Sequence, residues 1–394
     1  LRYVVCAMFL SAAGSAVAQD APKFEFHGFV GGSVFQESGD GPLSSGGGAG
    51  AWVVTAPAGS PLTKDKDNFG GDVRQTRLNF SLTGAPIFEG ATPRAFAEID
   101  FFGGNTAGAF GDVSIAPRLR VAFAELKLAN TGTMIRAGQD HDLVLGIILP
   151  QTVGHVAFPL SYQAGTVGWR RPGFAVYQTL PVADMKLEIA ASVGRSQWDA
   201  TNATASGAAS GLPAFQGRLK VQAKLFEVFV AGLYHQTDIN GVGASGSKTS
   251  IDTQVITAGA KASYMGATLQ GAAYTGKNLG PIAGALVQVQ PQAALTLPDG
   301  PANIDEVGAW AQLGYNITPT ISAWALAGFA NPDDEDLTKA TLTRGRNSTV
   351  SGMLRYQSKG YAAGLEYTMF RTKYTNLENA QEANQVMLSG MYFF

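Results

Sequence analysis

The last nine residues, Val386 to Phe394, read V-M-L-S-G-M-Y-F-F. Taken two at a time, Val386, Leu388, Gly390, Tyr392 and Phe394 form one apolar row, and Met387, Ser389, Met391 and Phe393 form the other. The segment therefore reads as a strand with an oily face. An oily strand ending on Phe394 has to be tied down, because chain ends in water ordinarily fray. Working back from it, the same alternation recurs. Leu78, Phe80 and Leu82 oppose Arg77, Asn79, Ser81 and Thr83. Ala95, Ala97, Ile99 and Phe101 oppose Arg94, Glu98 and Asp100, and Leu119, Val121 and Phe123 oppose Arg118 and Arg120. Ile135 and Ala137 flank Arg136, Leu187 and Ile189 alternate with Lys186 and Glu188, and Leu219 and Val221 alternate with Arg218 and Lys220.

Strands are predicted from Lys23, over the runs just named, and at 172–180, 185–194, 213–224, 227–236, 251–262, 267–276, 305–317, 320–330, 346–356, 361–374 and 383–394. Short links near 84, 130, 182, 226, 264, 318 and 358 alternate with long ones at 36–70, 103–116, 139–166, 195–212, 237–250, 277–304, 331–345 and 375–383. Seven short and eight long links join sixteen strands, with both ends on the short-turn side. Tyr264, Tyr315, Tyr356 and Tyr361 fall beside short turns, where an interfacial aromatic girdle belongs.

Composition narrows the class. Residues 1–18 read as an export segment, with Arg2, an apolar core over Val4–Ala13 and the small-x-small site Ala16-Val17-Ala18. That leaves one domain over 19–394, without the lone Cys6 and hence without thiol chemistry. No apolar run of about eighteen residues remains to cross a bilayer as a helix. Yet the chain is 45% apolar and only 15% charged. Together these predict an all-β, 16-stranded antiparallel transmembrane β-barrel, closed because a free edge in hydrocarbon leaves backbone groups unpaired. So wide a barrel admits water. The net charge of −2 argues against nucleic acid as a partner.

By strand parity Arg77, Arg94, Arg118, Arg120, Arg136, Lys186, Arg218, Lys220 and Arg355 point into the lumen, against Glu98, Asp100, Glu188 and Glu366. A basic excess of about two to one inside a low-dielectric wall raises the local anion concentration. The alternative, left open by the sequence, is that these charges neutralise one another. The link at 139–166, between strands five and six, carries an apolar run after Asp140, His141 and Asp142; the resemblance to porins set out below implies that it folds inward, the run on the wall and these three residues facing water, with an external lid or subunit contact as the competing reading.

The terminal strand resembles that of Gram-negative outer-membrane porins, in which a final phenylalanine serves the barrel-assembly machinery; Tyr392 and Phe394 would be that signal here. Residues 97–101 (A-E-I-D-F), 118–120 (R-L-R), 137–139 (A-G-Q) and 170–173 (R-R-P-G) resemble the DcaP-like trimeric porins. The resemblance implies an outer-membrane diffusion channel, a homotrimer, dicarboxylates among its small anionic solutes, and surroundings of outer-membrane lipid and lipopolysaccharide. It implies no enzyme activity, cofactor or metal. Asp140-His141-Asp142 stands where that family has an aromatic residue. The rival classes are an outer-membrane barrel hydrolase, for which no G-x-S-x-G elbow is found, and a plugged structural or adhesin barrel.

Other motifs carry little. Gly241-x-Gly243-x-x-Gly246 lacks a following helix. The run Asp333 to Asp336 reads as a solvated acidic loop before it reads as a cation site, and His27, His141, His155 and His235 show no metal-ligand spacing.

Overall fold

The computed structural model describes residues 22–44, 51–55, 67–103, 105–107, 113–156, 158–196, 211–239, 249–280, 282, 286, 303–339 and 343–394. The proposed export segment and the Gly241–Gly246 motif lie outside them. The barrel strands are β1 (Lys23–Gly39), β2 in two segments (Asn68–Asp72 and Arg77–Thr83), β3 (Ala91–Asp100), β4 (Arg118–Leu128), β5 (Thr133–His141), β6 (Arg170–Val182), β7 (Met185–Gly194) and β8 (Ala214–Gln222). They continue as β9 (Phe226–Ile239), β10 (Thr249–Tyr264), β11 (Ala267–Lys277), β12 (Asp305–Asn316), β13 (Ile321–Pro332), β14 (Arg344–Ser358), β15 (Tyr361–Tyr374) and β16 (Gln381–Phe393). Each pairs antiparallel with its chain neighbour, and β16 returns to β1 from Phe29↔Phe393 to Gly39↔Ala383. The sheet has seventeen assigned segments, but two of them lie end to end along β1, so the closed barrel has sixteen strands.

The last residue is tied down as expected: Gly28 and Phe394 exchange both backbone N–H···O bonds at 3.2 Å, and the Phe394 ring lies 5.2 Å from that of Phe26. Val386, Leu388, Tyr392 and Phe394 face outward, while Met387, Ser389 and Met391 are buried in the interior. The same division runs round the wall, with Val34, Leu82, Leu219, Ile256, Leu313 and Leu365 all exposed on the outer face. In a membrane this is the lipid-facing belt. The four predicted girdle tyrosines, Tyr264, Tyr315, Tyr356 and Tyr361, are also exposed there. Met265 and Gly266 make the tight turn between β10 and β11, both at positive φ (48° and 81°), the conformation that matches strand twist in a two-residue hairpin.

Three departures from the sequence reading have a clear local reason. The predicted loop 36–70 is shorter, because β1 continues to Gly39 and β2 opens at Asn68. Gly70 gives no alternation signal but lies under the Phe35 ring, where a Cβ would stand 2.6 Å from Cζ. The Asp72 carboxylate then accepts from the Arg74 backbone N–H (2.8 Å) and guanidinium (3.0 and 2.8 Å), interrupting β2. The acidic run Asp333 to Asp336 is not a loop: Asp333 Oδ1 caps the short helix α1 (Asp334–Lys339) by accepting from the N–H groups of Glu335 (2.9 Å) and Asp336 (3.2 Å).

The third concerns β4. Glu98 pairs with Val121 but Ile99 with Leu119, so Arg120 is an extra residue, a β-bulge. Leu119 is outward and 54% exposed, whereas Val121 and Phe123 fall inside, at 3% and 9%, instead of sharing Leu119's face as strict alternation requires. Opposite the re-aimed Phe123 sits Gly138, at φ +136°, where a Cβ would meet the Ala122 carbonyl at 2.3 Å. We therefore expect Gly138→Val to destabilise the barrel by about 1–3 kcal/mol. Gly352→Ala, into open space, should stay within about 0.5 kcal/mol of the parent. Urea unfolding from lipid vesicles followed by tryptophan fluorescence distinguishes the two.

Candidate functional site

The segment between β5 and β6 crosses the lumen. Leu143 N–H donates to Gln216 Oε1 on β8 (2.7 Å), and Gln151 N–H to Gln312 Oε1 on β12 (2.7 Å). Farther along, Thr152 Oγ1 donates to Glu366 on β15 (2.6 Å) and Val156 N–H to Gln75 Oε1 (2.9 Å); Asn347 on β14 then donates to the Gln163 carbonyl (2.9 Å). These partners come from several sides of the barrel, so the segment is internal and not an external lid. The apolar run packs on the wall: Val144, Ile148, Leu160 and Val167 join Phe229, Leu233, Val255, Trp310 and Phe370 in one buried cluster. The segment after β1 also enters, with Leu43 and Val53 in that cluster and Val53 held by Thr372 Oγ1 (3.0 Å) and Tyr374 Oη (2.8 Å). No alternation in the chain marks this second inward segment, because its Gly-rich flank carries no periodicity.

Strands β9 to β15 thus offer a wall largely covered by apolar packing, and the charge collects on β2 to β8. Arg118 grips Asp100 through both oxygens (2.9 and 2.6 Å), and Arg120 bridges Glu98 (2.7 Å) and Asp100 (2.8 Å). Arg77 lies 3.7 Å from Glu98 and donates to the Val156 carbonyl of the inward segment (3.0 Å). Arg94 and Arg136 share Glu125, at 3.0 and 2.6 Å, and each guanidinium lies over a ring of the stacked pair Phe96 and Phe123. Glu188 takes Arg218 (2.9 Å) and Lys220 (3.4 Å), while Lys186 is exposed beside the β6–β7 turn. On the far wall Arg355 donates to Gln151 Oε1 (3.0 Å), and Glu366 accepts from the inward segment.

Strand parity places these residues on one surface but misses their partners. Glu125 lies beyond the bulge at Arg120, where simple alternation loses the face. Glu37 and Glu306 are further buried carboxylates. The excess of cations is therefore local instead of lumen-wide. It is greatest where the inward segment rejoins the wall: Arg118 and Arg120 stand within electrostatic reach of both Arg77 and Arg170, and the carboxylates among them in the described residues are Glu98 and Asp100, with Asp142 farther along bound to Arg171. Arg170, in the R-R-P-G run, is 5% exposed and stacks on Trp169 at 4.0 Å. Its Nη1 has no hydrogen-bond partner among the described residues. Arg118 sits 5.4–5.6 Å from the rings of Phe102, Phe158 and Trp169. Aromatic faces support these guanidinium groups without neutralising them.

The expectation that Asp140, His141 and Asp142 face water from the inward segment is corrected. Asp140 and His141 end β5, and Asp140 pairs with Arg136 one helical-like step away in sequence but along the same strand face. Asp142 is fully buried. It binds Arg171 through both oxygens, one at 3.0 Å, and accepts from Trp169 N–H (2.9 Å) and Gln216 Nε2 (2.9 Å). A carboxylate placed beside a guanidinium in dry surroundings pairs with it instead of remaining in the water column. Among the described residues no cluster of His, Cys, Asp or Glu is arranged to hold a metal.

This architecture defines a class of fold: a closed antiparallel sixteen-stranded barrel with an internal loop, the fold seen in Gram-negative porins. The DcaP outer membrane channel of Acinetobacter baumannii is similar over 95% of this chain and 98% of its own, with a TM-score of 0.71 at 16% identity. OmpF of Salmonella typhi, solved with daunomycin, gives 0.56 at 13% identity over 95% and 98%. OprB of Pseudomonas putida gives 0.52 at 8% identity over 94% of each. No protein-family model and no curated protein matches the chain.

Asp142 anchors the near end of the internal segment, and its titration has a definite sign. Burial pushes its carboxyl up, but Arg171 and the donated hydrogen bonds outweigh burial and hold it below the usual carboxylate range. Its contribution is present above the ordinary value of about 3.9 and disappears as pH falls through the depressed one. The anchor should therefore hold at neutral pH and release only in strong acid. Asp142→Asn, which strands Arg171, should cost about 3–5 kcal/mol and mobilise the segment at neutral pH. Current noise across a bilayer and limited proteolysis within 143–169 report the release; unchanged noise and cleavage would contradict the anchor.

Proposed function

We propose that the chain is a passive diffusion channel for small hydrophilic solutes with a preference for anions, dicarboxylates included, and that it works as a homotrimer. The observation that carries the anion preference is the group Arg77, Arg118, Arg120 and Arg170 beside the internal segment, which outnumbers the Glu98 and Asp100 carboxylates set among it in the described residues. An anion passing it exchanges hydration for guanidinium N–H donors, whose planar fork suits carboxylate oxygens. The apolar cluster on the opposite wall keeps the dielectric low there and extends the field across the water column. The DcaP likeness and the A-E-I-D-F and R-L-R motifs support dicarboxylates and the trimer.

A plugged barrel is the second reading, favoured by the two inward segments sharing one apolar cluster. Conductance in planar bilayers separates them: a channel gives discrete steps with an anion-preferring reversal potential, and a plugged barrel gives none. In the channel, Arg118→Glu with Arg120→Glu should abolish or invert the preference, and Arg170→Gln should weaken it several-fold. An unchanged permeability ratio in both would remove these residues from the selective zone.

A further inference from the structure

The interruption of β2 delivers a side chain to the lumen. Between the pairs Ser33↔Asp72 and Phe29↔Arg77, the stretch Val73 to Thr76 faces Val30 to Gly32 of β1, which is one residue shorter, and the ladder lapses. In hydrocarbon such a lapse would strand backbone groups. Thr76 supplies partners for Gly31: its Oγ1 accepts from the Gly31 N–H (3.2 Å) and donates to the Gly31 carbonyl (3.3 Å). The Thr76 N–H donates to the Val73 carbonyl (3.1 Å), and the Phe101 N–H to the Arg74 carbonyl (3.1 Å). The break is therefore a closed, built turn and not a frayed stretch of strand.

Its product is Gln75. The side chain is 2% exposed and lies against the internal segment, with Nε2 donating to the Gly154 carbonyl and Oε1 accepting from the Val156 N–H (2.9 Å). One amide thus takes a carbonyl and an N–H from alternate residues, using both its donor and its acceptor. Glu366 on β15 accepts from the Val153 N–H (3.3 Å) and the Gly154 N–H, and Arg77 donates to the Val156 carbonyl (3.0 Å). Two residues on, Phe158 stacks on Trp169 (5.3 Å) and meets Phe102 edge-on (5.4 Å). These are the rings against which Arg118 and Arg170 lie, and Arg74, from the same break, covers Phe102 at 4.5 Å.

We propose that Gln75 is a positioning residue of the channel: it holds the internal segment where Phe158 meets Trp169, and so sets the anion preference of Arg118 and Arg170. The proposal rests on the channel reading above. Gln75 is neutral, so it acts on selectivity through position and not through its own field. Without it the Gly154 carbonyl and the Val156 N–H lose buried partners, which releases this stretch from the wall. Gln270 on β11 is the comparison: it donates to the Leu149 carbonyl (3.1 Å) and to Gln312 Oε1 (2.8 Å), clamping the same segment on the apolar side of the lumen.

Reversal potentials of the full chain in planar bilayers under a potassium chloride gradient test it, together with amide hydrogen exchange of the same proteins in detergent. Gln75→Leu keeps the bulk and removes both hydrogen bonds. It should lower the chloride-over-potassium permeability ratio several-fold and speed exchange at Val156. Gln75→Asn, neutral and one methylene shorter, should fall between, and Gln270→Leu should keep the parent's ratio. An unchanged ratio in Gln75→Leu, or an equal fall in Gln270→Leu, would overturn the proposal. If Gln75→Leu does not assemble, an unchanged ratio in Gln75→Asn overturns it equally. A parent with no anion preference would instead remove the channel reading, and exchange then decides the positioning role: equal rates at Val156 in the parent and in either Gln75 variant remove that too.

Discussion

Backbone hydrogen bonding in hydrocarbon is the constraint on which the structure depends. Each N–H or C=O left unpaired there costs several kcal/mol, so a sheet that crosses lipid has to close. Here closure is made by β1 and β16, the first and last strands of the chain, along a register that runs from Phe29↔Phe393 to Gly39↔Ala383 and is extended by Gly28 and Phe394. The apolar row Val386, Leu388, Tyr392 and Phe394 then has lipid to face. Closure also fixes which side chains share the interior, and the lumen chemistry follows from it.

That interior is asymmetric. The internal segment covers the inner faces of β9 to β15 with apolar contacts, and the charges of β2 to β8 look across at it. Most of those charges are paired: ion pairs hold the wall in shape, and an unpaired guanidinium nitrogen remains among the described residues where Arg170 enters. Arg170 can remain buried beside Arg118 and Arg120 because Trp169 supports it with a ring face and leaves Nη1 without a competing acceptor among the described residues.

Much of the barrel was legible before the structure, since one-sided burial imposes a period of two on nearly every strand. The closed sixteen-strand sheet, the lipid-facing row of β16 and the lumen-facing side of Arg77, Arg118, Arg136 and Arg218 all follow from that period, whereas the inward loop between β5 and β6 was expected from the porin resemblance. It fails where the backbone gains a residue. The bulge at Arg120 turned Val121, Phe123 and Glu125 inward, and the slip at Gly345 parted Arg344 from Arg346. A bulge leaves no composition mark, and glycine-rich stretches such as Gly70-Gly71 carry no alternation to read.

By itself, then, the sequence determined the class of fold, the strand count and the sign of most wall positions, because these depend on local alternation and on the bilayer. Only the tertiary structure decided which charge meets which. Asp142 was expected in water and lies against Arg171, Glu125 joins two arginines from different strands, and Arg170 is left short of a partner. Ion pairing depends on distances of a few ångströms between residues far apart in the chain, and those distances exist only once the sheet has closed.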